Sequence, residues 1–264
     1  MSGALRPLPS TRFKTLRSIM ALILREMATT YGRSPGGYLW AILEPVAGTA
    51  LLTFVFSLIL RTPPIGDNFP IFYATGLLPF MMYVEISSKV SQSISFSRPL
   101  LFYPTVTYFD AILARFILNF ITQTMVFTLI IAGIIFLFDA QMIINTQSII
   151  FSLVMAGALG LGVGAMNCFL NSVFPIWIRV WAIFNRPMFI ISCIFFVYES
   201  IPEPYRGILW YNPVVHIVGE MRHAFYFTYD AIYVSGVYVF SVSGCLFMLA
   251  LILLNRYHRD ILNN

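Results

Sequence analysis

Two carboxylates stand inside stretches that are otherwise apolar enough for a membrane: Glu44 in "YLWAILEPVAG" and Glu85 in "FPIFYATGLLPFMMYVE". A charged side chain at the centre of a bilayer costs on the order of 3 kcal/mol or more, so such groups face a bundle interior or a watery path. Pro45 follows Glu44 directly. A proline there leaves the Ala41 carbonyl without its helical partner, which kinks the helix and adds a polar backbone group beside the carboxylate. Together they suit the mouth of a polar passage; the alternative is that Glu44 lies near the interface and pairs with an arginine. Aromatic residues make up 16% of the chain, and Trp40, Phe72, Tyr73, Phe80 and Tyr83 crowd around the two glutamates. Aromatic faces pack against the C–H faces of sugar rings, so these residues with Glu44, Pro45 and Glu85 are candidates for lining the path of a carbohydrate polymer. The competing use of such rings is an interfacial belt and lipid-facing bulk.

A second cluster lies in "NPVVHIVGEMRHAFY", where His216, Glu220 and His223 share one helical face. Their types would suit zinc, but the spacing is no zinc-enzyme motif, and a hydrogen-bonded polar stripe on a surface helix explains them as well. No metal is therefore expected. The run "AGALGLGVGA" resembles a nucleotide loop only superficially, because it lacks the lysine and the strand-to-helix setting that phosphate binding needs. Ala156, Gly160 and Gly164 instead form a small-residue stripe for close helix packing. No P-loop occurs in the chain, so any ATP that drives it is bound by another polypeptide.

These groups must be positioned by membrane helices. At 264 residues, 59% apolar and 10% charged, with a mean hydropathy of +0.82, the composition excludes an ordinary soluble domain. Six runs reach the ~20 residues a helix needs to cross the hydrocarbon core: 38–60, 70–88, 111–138, 148–173, 182–199 and 231–255. We therefore expect an all-α integral membrane protein forming a single permease-like domain, with no cleaved leader. Three cysteines, all in predicted spans, give no support to a disulfide framework. Placing the N-terminus in the cytoplasm puts thirteen of the 16 basic residues inside and leaves Arg61, Arg206 and Arg222 outside. That bias satisfies the positive-inside rule and accounts for the net charge of +5 without nucleic acid, with both termini cytoplasmic. Residues 11–30 read as an amphipathic interface helix, with Phe13, Leu16, Met20, Ile23, Leu24 and Met27 on one face. "GRSPGG" turns the chain into the first span. The segment from Ser88 to Asp110 reads as a cytoplasmic docking element, and residues 200–230 as an outer helical segment with a helix over 213–228.

The lead-in "LREMATTYGRSPGGYLWAILEP", the loop "SRPLLFYPTVTYFDAILARF", the outer "NPVVHIVGEMRHAFY" and the terminal "LNRYHRDIL" together resemble ABC-2 type polysaccharide exporter permeases, above all the capsular polysaccharide export permeases of Gram-negative bacteria. The resemblance covers nearly the whole chain. It implies a six-span permease of the bacterial inner membrane, working as a homodimer on two copies of a separate ABC ATP-binding subunit that holds ATP and Mg. It is then a transport subunit and not itself an enzyme. It further implies an aromatic-lined path between the two copies for a lipid-linked polymer, a periplasmic co-polymerase-like adaptor and an outer-membrane export channel. By the same resemblance the ATPase meets the lead-in helix and first cytoplasmic loop, which makes Arg25, Arg33, Ser34, Arg98, Pro99, Leu100, Tyr103 and Pro104 coupling candidates. His216, Glu220 and Arg222 are the matching residues of the outer segment.

Other readings fit less well. An exporter of O-antigen, teichoic acid or a drug would share the architecture, but the aromatic content favours sugar. A secondary carrier would carry paired repeats with broken helices at matching positions, and an intramembrane enzyme would cluster polar side chains on facing spans. The sequence has neither.

Overall fold

The computed structural model of the protein describes residues 14–31, 37–101, 106–138 and 143–263. Among these, the chain is built of helices joined by turns, with no strand. The elements are α1 (Lys14–Glu26), α2 (Gly37–Ile59), α3 (Phe69–Ser91), α4 (Ser93–Leu101), α5 (Tyr108–Phe138), α6 (Thr146–Val173), α7 (Trp177–Ile191), α8 (Tyr205–Trp210), α9 (Pro213–Phe225) and α10 (Gly236–Asn263). Among the described residues, five stretches are long and apolar enough to cross a membrane: Leu39–Ile59, Phe69–Leu100, Tyr108–Phe138, Thr146–Val173 and Gly236–Tyr257.

Local chemistry sets several boundaries. Asn145 caps α6 by accepting from the Gln147 and Ser148 amides, and Asn212 caps α9 by accepting from the Val214 amide, with Pro213 in the first turn. Thr107 and Asp110 cap α5 reciprocally, each side chain accepting the other's amide at 3.2 and 3.0 Å.

The small residues of α6 decide the core. A Cβ on Gly164 would lie 2.7 Å from Val90 Cβ, and one on Gly162 would collide with the Ser243 backbone, so α3 and α10 approach α6 as only glycine allows. Contact order along the helices fixes direction. Gly160 meets Ile86 and Gly164 meets Val90, so α6 runs parallel to α3; Phe151 meets Phe240 and Phe169 meets Tyr257, so α10 is parallel to both. The chain must therefore return the length of the bundle between Val173 and Gly236, through α7 to α9. By contrast α2 is antiparallel to α3, with Gly48 against Leu77 and Phe56 against Tyr73.

That return corrects the expected fifth span. No continuous helix covers 182–199. Instead α7 has 15 residues and stops at Ile191, followed by a bent stretch with Cys193 at φ 58° and a short 3-10 turn at Tyr198–Ser200. Polar side chains from α9 and its cap hold this break. Asn212 donates to the Ile191 carbonyl at 3.2 Å, and Arg222 donates to the carbonyls of Ile194 and Phe196. Non-helical backbone at such a depth persists only where protein satisfies it. Smaller corrections concern element ends. The expected docking loop begins as helix, because α3 passes through Gln92 into α4. The last helix starts at Gly236 rather than 231, and the outer helix ends at Phe225.

Helix α1 also differs from its expected face. Ile19 and Leu22 turn inward and pack with Ala114 of α5, Ile23 is partly buried against them and Glu26 is buried, while Leu16, Met20, Leu24 and Met27 stay exposed; Phe13 lies outside the described residues. Of the face read from the sequence, Ile23 alone among the described residues packs against this cluster, and Ile19 and Leu22 were not on it.

Candidate functional site

At the end of the bundle where α3 stops and α5 starts, three elements meet around one arginine. Arg115, about two turns into α5, forms an ion pair with Glu26 of α1 at 3.0 Å, and both side chains are nearly inaccessible. Its Nη1 donates to the Lys89 carbonyl at the end of α3 at 2.8 Å. Its guanidinium lies 4.2 Å from the centroid of Phe96 on α4, whose ring also meets Arg25 at 5.2 Å. The joint fixes α1, α4 and α5 as one unit. Neither Glu26 nor Arg115 was singled out from the sequence; an acidic residue in an otherwise basic amphipathic helix and a basic residue just inside a span were the available signals.

The coupling candidates divide around this joint. Arg25 takes part through Phe96, and Leu100 packs with Ile19, Leu22 and Ala114. Arg98 and Pro99 are exposed on α4, where Arg98, Gln92 and Ser95 face Asn171 and Ser172 across a recess of about 370 Å³. Arg33, Ser34, Tyr103 and Pro104 lie outside the described residues.

The path candidates also divide. Phe72, Tyr73, Phe80 and Tyr83 are buried inside the protomer, where Tyr73 packs against Phe56 and Phe80 against Phe189. Pro45 is buried on the inner face of α2. Trp40 and Glu44 are exposed on its outer face, and half-buried Glu85 has Lys89 and Glu44 as the charges acting on it.

In the outer segment α9 sinks against α3, α6 and α10, and its residues from Val214 to Gly219 are buried. Arg222 is fully buried. It donates to Phe196 O at 2.7 Å and Ile194 O at 2.8 Å, and stacks over Phe72 at 4.2 Å. Its charge is met by two carbonyl dipoles and a ring face, with no carboxylate in contact among the described residues. His216 bridges Trp210 and Ser235. Because a carbonyl can only accept, Nε2 carries the proton and donates to Trp210 O at 2.8 Å, while Nδ1 accepts from the Ser235 amide at 3.1 Å. His223 Nδ1 lies 2.8 Å from the Tyr229 carbonyl, and Glu220 is half-buried. Both imidazoles are engaged by backbone, and no group of three metal-ligating side chains occurs among the described residues. Rings close the segment: Tyr198 stacks on Tyr233 at 4.0 Å, and Tyr229 donates to Glu199 at 2.9 Å.

A proton added at Nδ1 of His216 would face the Ser235 N–H, and burial already holds this imidazole below its ordinary range. A depressed folded-state value means the unfolded chain takes up the proton first. Stability is then fully present above the unfolded value near pH 6.5 and declines as pH falls below it. We expect the melting temperature of purified protein to be flat from pH 8 to about 6.5 and then to fall by roughly 3 °C per pH unit from this group. His216→Gln should flatten that acid limb, as differential scanning fluorimetry at several pH values would read.

The family profile described as ABC-2 type transporter matches residues 17–226. The polysialic acid transport protein KpsM of Escherichia coli is 32% identical over 207 residues, 78% of this chain and 80% of that protein. The capsule polysaccharide export inner-membrane protein CtrC of Neisseria meningitidis serogroup B is 26% identical over 246 residues, 93% of this chain and 92% of its own length. The O-antigen export system permease protein RfbA of Klebsiella pneumoniae is 24% identical over 213 residues, 78% of this chain and 79% of its own.

Proposed function

The chain belongs to the ABC-2 type transporter family, and from that premise we propose that it is the membrane-spanning permease of an ATP-driven exporter carrying a lipid-linked capsular polysaccharide across the bacterial inner membrane. The relatives named for polysialic acid and capsule export support this substrate class over O-antigen, whose permease is the more distant match. The single observation that carries the mechanism is the buried joint of Glu26, Arg115 and Phe96. It gives an ATP-binding subunit docked on α1 and α4 a rigid connection to a membrane-crossing helix. Nucleotide-driven closure of the ATPase pair would shift these elements together and bias the permease between two states.

In this reading six crossings are made, the fifth by α7 with residues 192–200, and both termini are cytoplasmic. Two copies form the permease, and this chain binds no cofactor of its own; ATP and Mg sit on the partner. The exposed side of α2 with Trp40 and Glu44, and half-buried Glu85, border the path. The buried aromatics of α3 shape it from behind. A periplasmic adaptor and an outer-membrane channel complete the route. Arg98 and Pro99 are the exposed α4 residues offered to the ATPase, with Arg33, Ser34, Tyr103 and Pro104 as further coupling candidates.

Glu44→Gln and Pro45→Ala should each reduce surface polymer more than they reduce the amount of permease in the membrane. Quantitative immunoblotting beside a surface-polysaccharide assay reads both quantities. Normal surface polymer in both variants would remove Glu44 and Pro45 from the path.

A further inference from the structure

Helices α2 and α7 are barely covered by the rest of the chain, and their exposed faces carry opposite charge. On α2 the exposed stripe is Trp40, Glu44, Ala47, Leu51, Phe54 and Leu58, at alternating spacings of four and three. On α7, which has no buried residue, it is Arg179, Ile183, Arg186 and Ile190, continued by the cap residue Ile176, at spacings of three and four. Such spacing is the seam by which one helix packs along another. Among the described residues, Glu44, Arg179 and Arg186 have no ion pair. A charge at membrane depth requires a partner or water.

Ring contacts supply the depth of each charge. Phe56 of α2 touches Tyr73 of α3 at 5.2 Å, so the two share a level. Glu44 and Glu85 each lie twelve residues from there toward the cytoplasmic end, or about 18 Å at 1.5 Å per residue. Phe80, seven residues along from Tyr73, touches Phe189 of α7 at 5.4 Å, and Arg186 lies three residues beyond that, about 15 Å below the same mark. Phe189 also meets Phe195 at 5.1 Å, and Phe195 meets Phe56 at 5.5 Å, so Arg186 lies about 10–15 Å below the mark, within about 8 Å of the level of Glu44, and Arg179 lies about 10 Å deeper toward the cytoplasm than Arg186.

We propose that Glu44 of one copy forms an ion pair with Arg186 of a second copy, seating α2 of each against α7 of the other. This deepens the homodimer reading above and rests on it. The contact is isologous, so a two-fold axis makes it twice and sets one pair at each side of the path between the copies. Each pair removes an isolated charge from the membrane and fixes the depth at which the copies register.

The reciprocity gives a decisive test. Glu44→Arg and Arg186→Glu, each expressed alone, place like charges at both contacts and should lower surface polymer by about tenfold or more. Expressed together on differently tagged copies, they form mixed dimers in which both contacts are again opposite in sign. Export should recover to about half of wild type, the fraction of mixed dimers that random pairing yields. Recovery only when both substitutions are in one chain would place the pair within a copy and overturn the proposal, as would recovery in neither case. Co-purification of differently tagged wild-type copies reads the dimer separately, so a failed dimer is distinguishable from a failed ion pair. If the charge variants do not accumulate, Glu44→Cys on one copy and Arg186→Cys on another should join through a short bis-thiol cross-linker in membranes, in a Cys245→Ser background since that cysteine is exposed. No mixed cross-linked product would also overturn the proposal.

Discussion

Arg222→Met should lower the melting temperature of the detergent-purified protein by about 10 °C and sharply reduce the amount recovered from membranes. The guanidinium is the donor to two carbonyls, those of Ile194 and Phe196, on a buried stretch that is not helical. Each carbonyl left unpaired costs about 1–3 kcal/mol, and in a chain of this size each kcal/mol corresponds to about 2–4 °C. The Phe72 contact is lost as well. Arg222→Lys should fall between, since an ammonium keeps the charge but lacks the planar fork that reaches both oxygens. Fluorescence-detected thermal melting of the three proteins reads the order. A methionine variant that accumulates and melts like wild type would mean that residues 192–200 hold their course without Arg222.

The Glu26–Arg115 pair should separate folding from transport. Arg115→Leu alone leaves the Glu26 carboxylate buried without its cation, at a cost of about 3–5 kcal/mol, and should deplete the protein. Replacing both residues by leucine removes the stranded charge, and buried pairs exchanged for apolar side chains are often neutral or stabilising. The double variant should therefore accumulate near the wild-type level. It should nevertheless export less than a tenth as much polymer per permease, an effect of about 1.4 kcal/mol or more on coupling, because the hydrogen bond to Lys89 and the stack on Phe96 go with the arginine. Surface polymer normalised to permease by immunoblot is the measurement. Normal export by the double variant would make the joint structural only.

Much of the fold was legible in hydropathy. The helices Gly37–Ile59, Tyr108–Phe138 and Thr146–Val173 lie within a few residues of the runs that predicted them, and the small-residue stripe of α6 is the packing surface it was read to be. Residues 182–199 were misread because hydropathy counts apolar side chains and is blind to a distant donor. The break after Ile191 is stabilised by Asn212 and Arg222, more than twenty residues further on. Glu26 escaped notice for a related reason: a wheel assigns an acidic residue to the wet face unless its partner, here eighty-nine residues away, is known. Of the aromatic cluster, the pattern gave density but not direction. The 3.6-residue period places Phe72, Tyr73, Phe80 and Tyr83 around most of α3, and α3 is enclosed on nearly every side. Glu44 and Glu85 stood out in the sequence because membrane depth makes an ionisable group costly whatever surrounds it.

The most direct measurement is to delete the gene in its host, supply it back on a plasmid, and fractionate the cells for acidic polysaccharide, comparing surface extract with cytosol. The account predicts that polymer synthesis continues and that the product is trapped inside, with surface polymer returning on complementation. Normal polymer at the surface of the deletion strain would contradict it.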